Sequence, residues 1–201
     1  MEIGYIKLSM NSWKTKSSKI VYENGRFSIR EDQIVKPDGT DGVFYVMDRA
    51  PVIIIIPVSK NNEIYLIRVN RYTTRKTRWE LPAGSSDKQD ELIAAKRELK
   101  EETGLISKKW IKIGKLEVAP GMTGQLAHVF VARDVELTSE NEQNEENIDK
   151  MQRFSFEKVL QMIKNGEIVN GPSISAIMCA ELKLWSNFFP VDSSGRELGG
   201  E

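Results

Sequence analysis

Three carboxylates fall within five positions near the end of one short stretch of this sequence, "LPAGSSDKQDELIAAKRELKEETGL", which runs from Leu81 to Leu105. Glu98, Glu101 and Glu102 stand at i, i+3 and i+4, so on a helix of about 3.6 residues per turn they share a face. Like charges at that spacing repel. Near the C-terminal end of a helix they also oppose its dipole. Two readings compete. One is a solvated acidic face balanced by Lys96 and Lys100; the other is a face that holds a hard divalent cation through carboxylate oxygens.

The helix that must carry these acids is well marked. Asp87 or Asp90 can cap a start near residues 88–90, and Gly104 suits the stop. Leu92, Ala95 and Leu99 form an apolar stripe, expected on a face separate from the acids, and Arg97 is spaced to pair with Glu101. Just upstream, Arg71 lies among Arg68, Arg75, Lys76 and Arg78, shortly before Glu80. This is either a solvated basic strand end or a basic rim of the kind a diphosphate needs beside an acidic metal site. The acidic segment "ENEQNEENI" offers Glu142, Glu145 and Glu146, against the plainer reading of a polar loop. The lone His128, in the alternating run "LAHVFVA", reads as structural or surface-facing, and Cys179, in the helical run "SISAIMCAELKLW", as a buried structural thiol.

The rest of the chain supplies the frame. Its 201 residues suggest one domain, or one domain with an extra N-terminal piece, and 40% hydrophobic content is enough for a sizeable core. The 29 basic and 29 acidic side chains cancel, which argues against nucleic acid or an anionic membrane as partner. A single cysteine excludes an internal disulfide framework and agrees with a reducing cytosol. The start lacks the long apolar run of a signal peptide, and "APVIIIIPV" is too short to span a bilayer. A soluble cytoplasmic protein is expected.

Residues 19–48 predict an antiparallel β-meander, with turns at Asn24-Gly25 and Pro37-Asp38-Gly39. "VIIIIPV" and "EIYLIRV" predict two strands of a mixed sheet, the first covered on both faces. "KWIKIGKLEVA" and "LAHVFVARDVEL" predict two more, residues 138–149 a loop, and "FSFEKVLQMIKNGEI" and "PSISAIMCAELKLWSNFF" helices. The expected organisation is α+β: an N-terminal β-subdomain over 1–48, a main domain over 49–190 and a flexible tail over 191–201.

The quoted stretch resembles the Nudix box: Gly, five residues, Glu, seven residues, Arg-Glu, an aliphatic residue, any residue, Glu-Glu, any residue, Gly and an aliphatic residue. Residues 97–105 fit its second half at all seven defined positions, and Gly84 resembles the opening glycine. The first half departs from the pattern. Only twelve residues separate Gly84 from Arg97, one fewer than the pattern has, and Gln89 stands where it has glutamate. The resemblance implies a mixed β-sheet sandwiched between helices. It also implies a Mg2+ site (or Mn2+) formed by Glu98, Glu101, Glu102 and the carbonyl of Ala83, with Gly84 and Arg97 in support. Carboxylate-held cations suit the hydrolysis of a diphosphate, because they neutralise its oxygens and acidify a water.

"NSWKTKSSKIVYENGRFSIREDQIVKPDG", "RVNRYTTRKTRWELPAG" and "GEIVNGPSISAI" extend the resemblance to the ADP-ribose pyrophosphatase branch, over roughly residues 11–185. That branch implies hydrolysis of ADP-ribose, or a related nucleoside diphosphate sugar, by a homodimer whose N-terminal β-piece crosses to its partner. It implies stacking of Trp13 on the adenine, a phosphate or ribose contact for Arg71, and Glu80 near the site. Gln125 takes the place of an acid four residues after Gly121, and Glu145 or Glu146 supplies the general base. A protein that keeps the fold but binds a nucleotide sugar without hydrolysing much of it is the second reading, motivated by Gln89, Gln125 and the shortened loop.

Overall fold

The computed structural model describes residues 12–138 and 148–185. In chain order the elements are β1 (Lys14–Glu23), β2 (Phe27–Val35), β3 (Asp41–Arg49), β4 (Val52–Val58), β5 (Ile64–Arg71), β6 (Lys76–Glu80), β7 (Ala83–Ser85), α1 (Glu91–Thr103), β8 (Leu105–Ile106), β9 (Lys109–Glu117), β10 (Leu126–Arg133), β11 (Glu136–Leu137), β12 (Ile148–Phe154), α2 (Phe156–Lys164) and α3 (Gly171–Ala180), the last running into a π-helical turn at Glu181–Trp185. They fall into two units, one built on the chain up to Arg49 together with Ala119–Gln125, the other on Ala50–Val118 and the chain from Leu126 onward.

The first unit is a three-stranded antiparallel sheet in the order β1-β2-β3. Its first turn is organised by Asn24, whose Oδ1 accepts from the amides of Arg26 and Phe27 at 2.8 and 3.0 Å. This local capping by an Asn side chain is why the Asn24-Gly25 signal marks a hairpin. The segment 119–125 joins the unit through Met47, whose amide donates to the carbonyl of Met122 at 2.9 Å. Strand β1 is exposed along its whole length.

In the second unit a mixed seven-stranded sheet runs β12-β5-β4-β10-β9, with β6 on β5 and β7 on β4. Strand β4 is the apolar run of the sequence. It lies parallel to β10, and a strand so placed is buried on both faces. Alternate residues serve the two sides. Ile54, Ile56 and Val58 share one core with Phe156, Val159 and Met162 of α2 and Ala176 and Ile177 of α3. Ile53 and Ile55 share the other with Ala94, Ala95 and Leu99 of α1 and Phe130 of β10. The sheet is thus sandwiched between helices.

Strand β12 was not among the strands expected from the sequence. β12 pairs antiparallel with β5 at the sheet's edge, where the expected loop ends. Its sequence, "IDKMQRF", has three charged side chains and only Ile148 buried, so no apolar alternation betrays it. Charge on an edge strand discourages further pairing.

Helix α1 is capped at Asp90, whose Oδ1 accepts from the amides of Leu92 and Ile93 at 3.0 and 3.2 Å. It stops at Gly104, which takes the left-handed φ of 66° and donates its amide to the Lys100 carbonyl. Among the described residues no helix is long and apolar enough to cross a membrane.

Candidate active site

The acids meet the sheet at β7. This short strand pairs with β4, Gly84 opposite Ile53 and Ala83 opposite Ile54, which sets it beneath α1. Glu98 and Glu102 are only 7% and 5% exposed. Glu102 Oε2 accepts the Ala83 amide proton at 2.9 Å. Gly84 is needed here for closeness: a Cβ built on it would overlap the Glu98 carboxylate. Glu101 is half-buried. The expectation that all three acids occupy a face apart from the apolar stripe is therefore corrected. Glu98 and Glu102 turn inward alongside Ala95 and Leu99, because β7 offers an amide and a side-chain-free surface where core packing would otherwise exclude them.

Arg97 ties the group together. Its Nη1 donates to Glu101 Oε2 at 2.7 Å, the i,i+4 pair expected from spacing. Its Nη2 lies 2.8 Å from Glu98 Oε1, 2.9 Å from the Ser85 carbonyl and 3.0 Å from Asp87 Oδ2, and its Nε donates to Gln89 Oε1 at 3.3 Å. Burial pushes the Glu98 carboxyl up to about 7; Arg97 pulls it down, while Glu101 and Asp87 push it further up.

Among the described residues no three His, Cys, Asp or Glu side chains form a ready ligand set for a metal ion. Glu98, Glu101 and Glu102 are each turned to an arginine or amide partner. The donor chemistry nonetheless fits a hard cation. The oxygens are all carboxylate, and the ionised form of Glu98 is penalised by burial and by two neighbouring acids, a penalty that a bound cation would offset.

Two other expected site residues pair with each other. Arg71, at the end of β5, forks onto the buried Glu80 of β6, with Nη2 to Oε2 at 2.7 Å and Nε to Oε2 at 3.2 Å. Within the basic cluster, Arg68 is engaged by Asp149 of β12. Trp13 and Gln125 belong to the first unit, whereas Arg71, Glu80, Ala83, Gly84, Arg97 and the three glutamates belong to the second. Trp13 is 59% exposed, with its ring edge-on to Phe44 at 6.2 Å between centroids. The Gln125 backbone amide donates to Thr123 Oγ1 at 3.0 Å. Glu142, Glu145 and Glu146 lie outside the described residues, as do residues 186–201, which include the expected tail. His128 is buried on β10, and that burial lowers its pKa. Cys179 is half-buried against the core on α3.

Sequence reasoning missed Asp87 and Ser85 as partners of Arg97, and considered Asp87 only as a helix cap. The one available signal was the loop shortened by a residue, which forces an unusual backbone on whatever occupies it.

The family profile described as NUDIX domain matches residues 48–176. The chain belongs to the Nudix hydrolase family. A second profile, the nucleoside diphosphate sugar hydrolase N-terminal domain, matches residues 13–47. This Nudix hydrolase is 28% identical to an ADP-ribose pyrophosphatase of Mycobacterium tuberculosis, over 85% of the chain and 84% of that protein. It is 24% identical to an ADP-ribose pyrophosphatase of Bacillus subtilis, over 85% of the chain and 93% of that protein. The crystal structure of an ADP compounds hydrolase shares its fold with a TM-score of 0.77 at 19% identity, covering 89% of this chain and 97% of that one.

Proposed function

We propose that this Nudix hydrolase cleaves the pyrophosphate bond of ADP-ribose to AMP and ribose 5-phosphate, or that of a related nucleoside diphosphate sugar, with Mg2+ as its cation and Mn2+ as a substitute. The observation that carries this is the placement of two buried carboxylates, Glu98 and Glu102, against Ala83 and Gly84 of β7, with Glu101 one turn away on the same helix. Two relatives named ADP-ribose pyrophosphatase, matched over most of their length, support the substrate.

In this reading Glu98, Glu101, Glu102 and the Ala83 carbonyl hold the cation. A bound cation neutralises the diphosphate oxygens and makes a water more acidic. The chain's own groups do the rest. Arg97 braces Glu101 along the helix through their i,i+4 pair. Arg71, preset by Glu80, presents a planar guanidinium suited to phosphate. Trp13 offers an exposed ring for the adenine, and Gln125 a neutral hydrogen-bonding group. Glu145 or Glu146 takes the proton from water.

We assign the protein to the cytoplasm as a homodimer formed through the first unit. There, exposed Ile20, Val21 and Tyr22 on β1 and Val43 and Tyr45 on β3 provide apolar surface of the kind that marks interfaces.

The test is incubation with ADP-ribose, ADP-glucose, UDP-glucose and GDP-mannose in Mg2+, with product identification. AMP and ribose 5-phosphate as the fastest products support the proposal; preference for another sugar keeps the chemistry and moves the substrate. No turnover of any compound, with ADP-ribose held equally well in EDTA, would replace the hydrolase reading with a binding protein.

A further inference from the structure

The loop before α1 is one residue shorter than the family pattern and has a neutral Gln89 where the pattern has an acid. Its backbone shows how the shortening is absorbed. The Gln89 amide donates to the Ser86 carbonyl at 2.8 Å, closing a turn whose central residues, Asp87 and Lys88, both take left-handed φ values of 48° and 63°. Two positive φ values in succession are the signature of a type I′ turn, which Asp tolerates better than most residues. The turn carries the Asp87 carboxylate to Arg97 Nη2 at 3.0 Å, while Gln89 reaches only Nε, at 3.3 Å.

We propose that Asp87 is the positioning carboxylate of this site, supplying from the tightened turn the negative charge that Gln89 does not, and so freeing Glu98 from Arg97 for a divalent cation. The proposal rests on the reading of Glu98 as a cation ligand. Its basis is a count of protons. Arg97 Nη2 carries two, yet faces three acceptors: the Ser85 carbonyl, Asp87 Oδ2 and Glu98 Oε1. One acceptor is in excess. When Glu98 is given up, Ser85 and Asp87 take one proton each, and the guanidinium stays in place with its charge still balanced by Asp87 and Glu101. Without the Asp87 charge, Arg97 holds Glu98 more firmly and competes with the cation.

The experiment is titration of the full-length protein with Mn2+ alone, followed by the electron paramagnetic resonance of the free ion, with circular dichroism of each variant as a check on folding. Asp87→Asn is expected to weaken Mn2+ binding about tenfold, the scale of lost outer-shell support at metal sites. Adding Gln89→Glu to Asp87→Asn is expected to restore it, because the charge returns to Arg97 by the other route. Gln89→Glu alone, which leaves Asp87 in place, is expected to tighten binding. Unchanged affinity in Asp87→Asn, no rescue in the double variant, or no gain from Gln89→Glu overturns the role of Asp87. If the parent binds no Mn2+, or Glu102→Gln binds it as well as the parent does, the metal-site reading falls and the Asp87 role falls with it. A parent that binds, beside an Asp87→Asn variant without effect, sinks the Asp87 role alone.

Discussion

Replacing Glu98 by Gln should stabilise the metal-free protein, and the gain should grow with pH. Glu98 is 7% exposed, and its carboxyl is raised from 4.5 to about 7, with burial as the leading cause. Between those two values the folded protein binds more protons than the unfolded chain, so its stability falls as pH rises. Above about pH 7 both states are ionised and the full penalty applies. A shift of about two and a half units corresponds to about 3 kcal/mol, of which roughly 1 kcal/mol is already present near pH 5. Urea unfolding of parent and Glu98→Gln in EDTA, at steps from about pH 5 to about pH 8, should therefore show the variant's advantage increasing by about 2 kcal/mol. EDTA matters because any cation bound by the native state would add its own stability to the parent. An advantage that is constant across this range, or that shrinks as pH rises, would refute the burial of an ionisable Glu98 against β7.

Gly84→Ala should displace the Glu98 carboxylate, since the new Cβ overlaps it, and lower ADP-ribose turnover by more than about tenfold while the fold persists; parent-level turnover would show that the close approach is dispensable. Lys88→Gly should raise stability by about 0.5–1 kcal/mol in urea unfolding, because glycine adopts the left-handed φ of 63° without steric cost, and a loss of stability would contradict the tight turn. Sedimentation equilibrium should give twice the chain mass of 22.9 kDa, whereas a monomer at all concentrations would remove the dimer assigned to the first unit.

Much of this protein was legible from short-range pattern. The spacing of Glu98, Glu101 and Glu102, the stop at Gly104, the hairpin at Asn24-Gly25 and the doubly covered run of β4 all follow from rules that act within a few residues. A backbone turn or a helical period needs no distant partner to declare itself, and for that reason sequence alone determined them. The choice between Asp87 and Asp90 as helix cap was left open by the same rules, because both can accept from the amides of a first turn. The structure gives the cap to Asp90, because Asp87 and Lys88 sit in a left-handed turn where no helix can start, and Asp87 faces Arg97 instead.

The character of the acids was likewise a tertiary matter. As a sequence, three glutamates at helical spacing describe an exposed face as well as a metal site. Only the pairing of β7 with β4 set Ala83 and Gly84 under the helix, gave Glu102 an amide to accept from, and buried Glu98 enough to move its carboxyl toward neutrality. Desolvation depends on everything within several ångströms, whichever part of the chain supplies it. The same holds for β12, an edge strand recognised by its partner β5 rather than by its own polar residues, and for segment 119–125, which leaves the second unit's strands to join the first. Sequence determined which residues carry charge and at what spacing; the tertiary structure alone decided which of those charges are taken out of water.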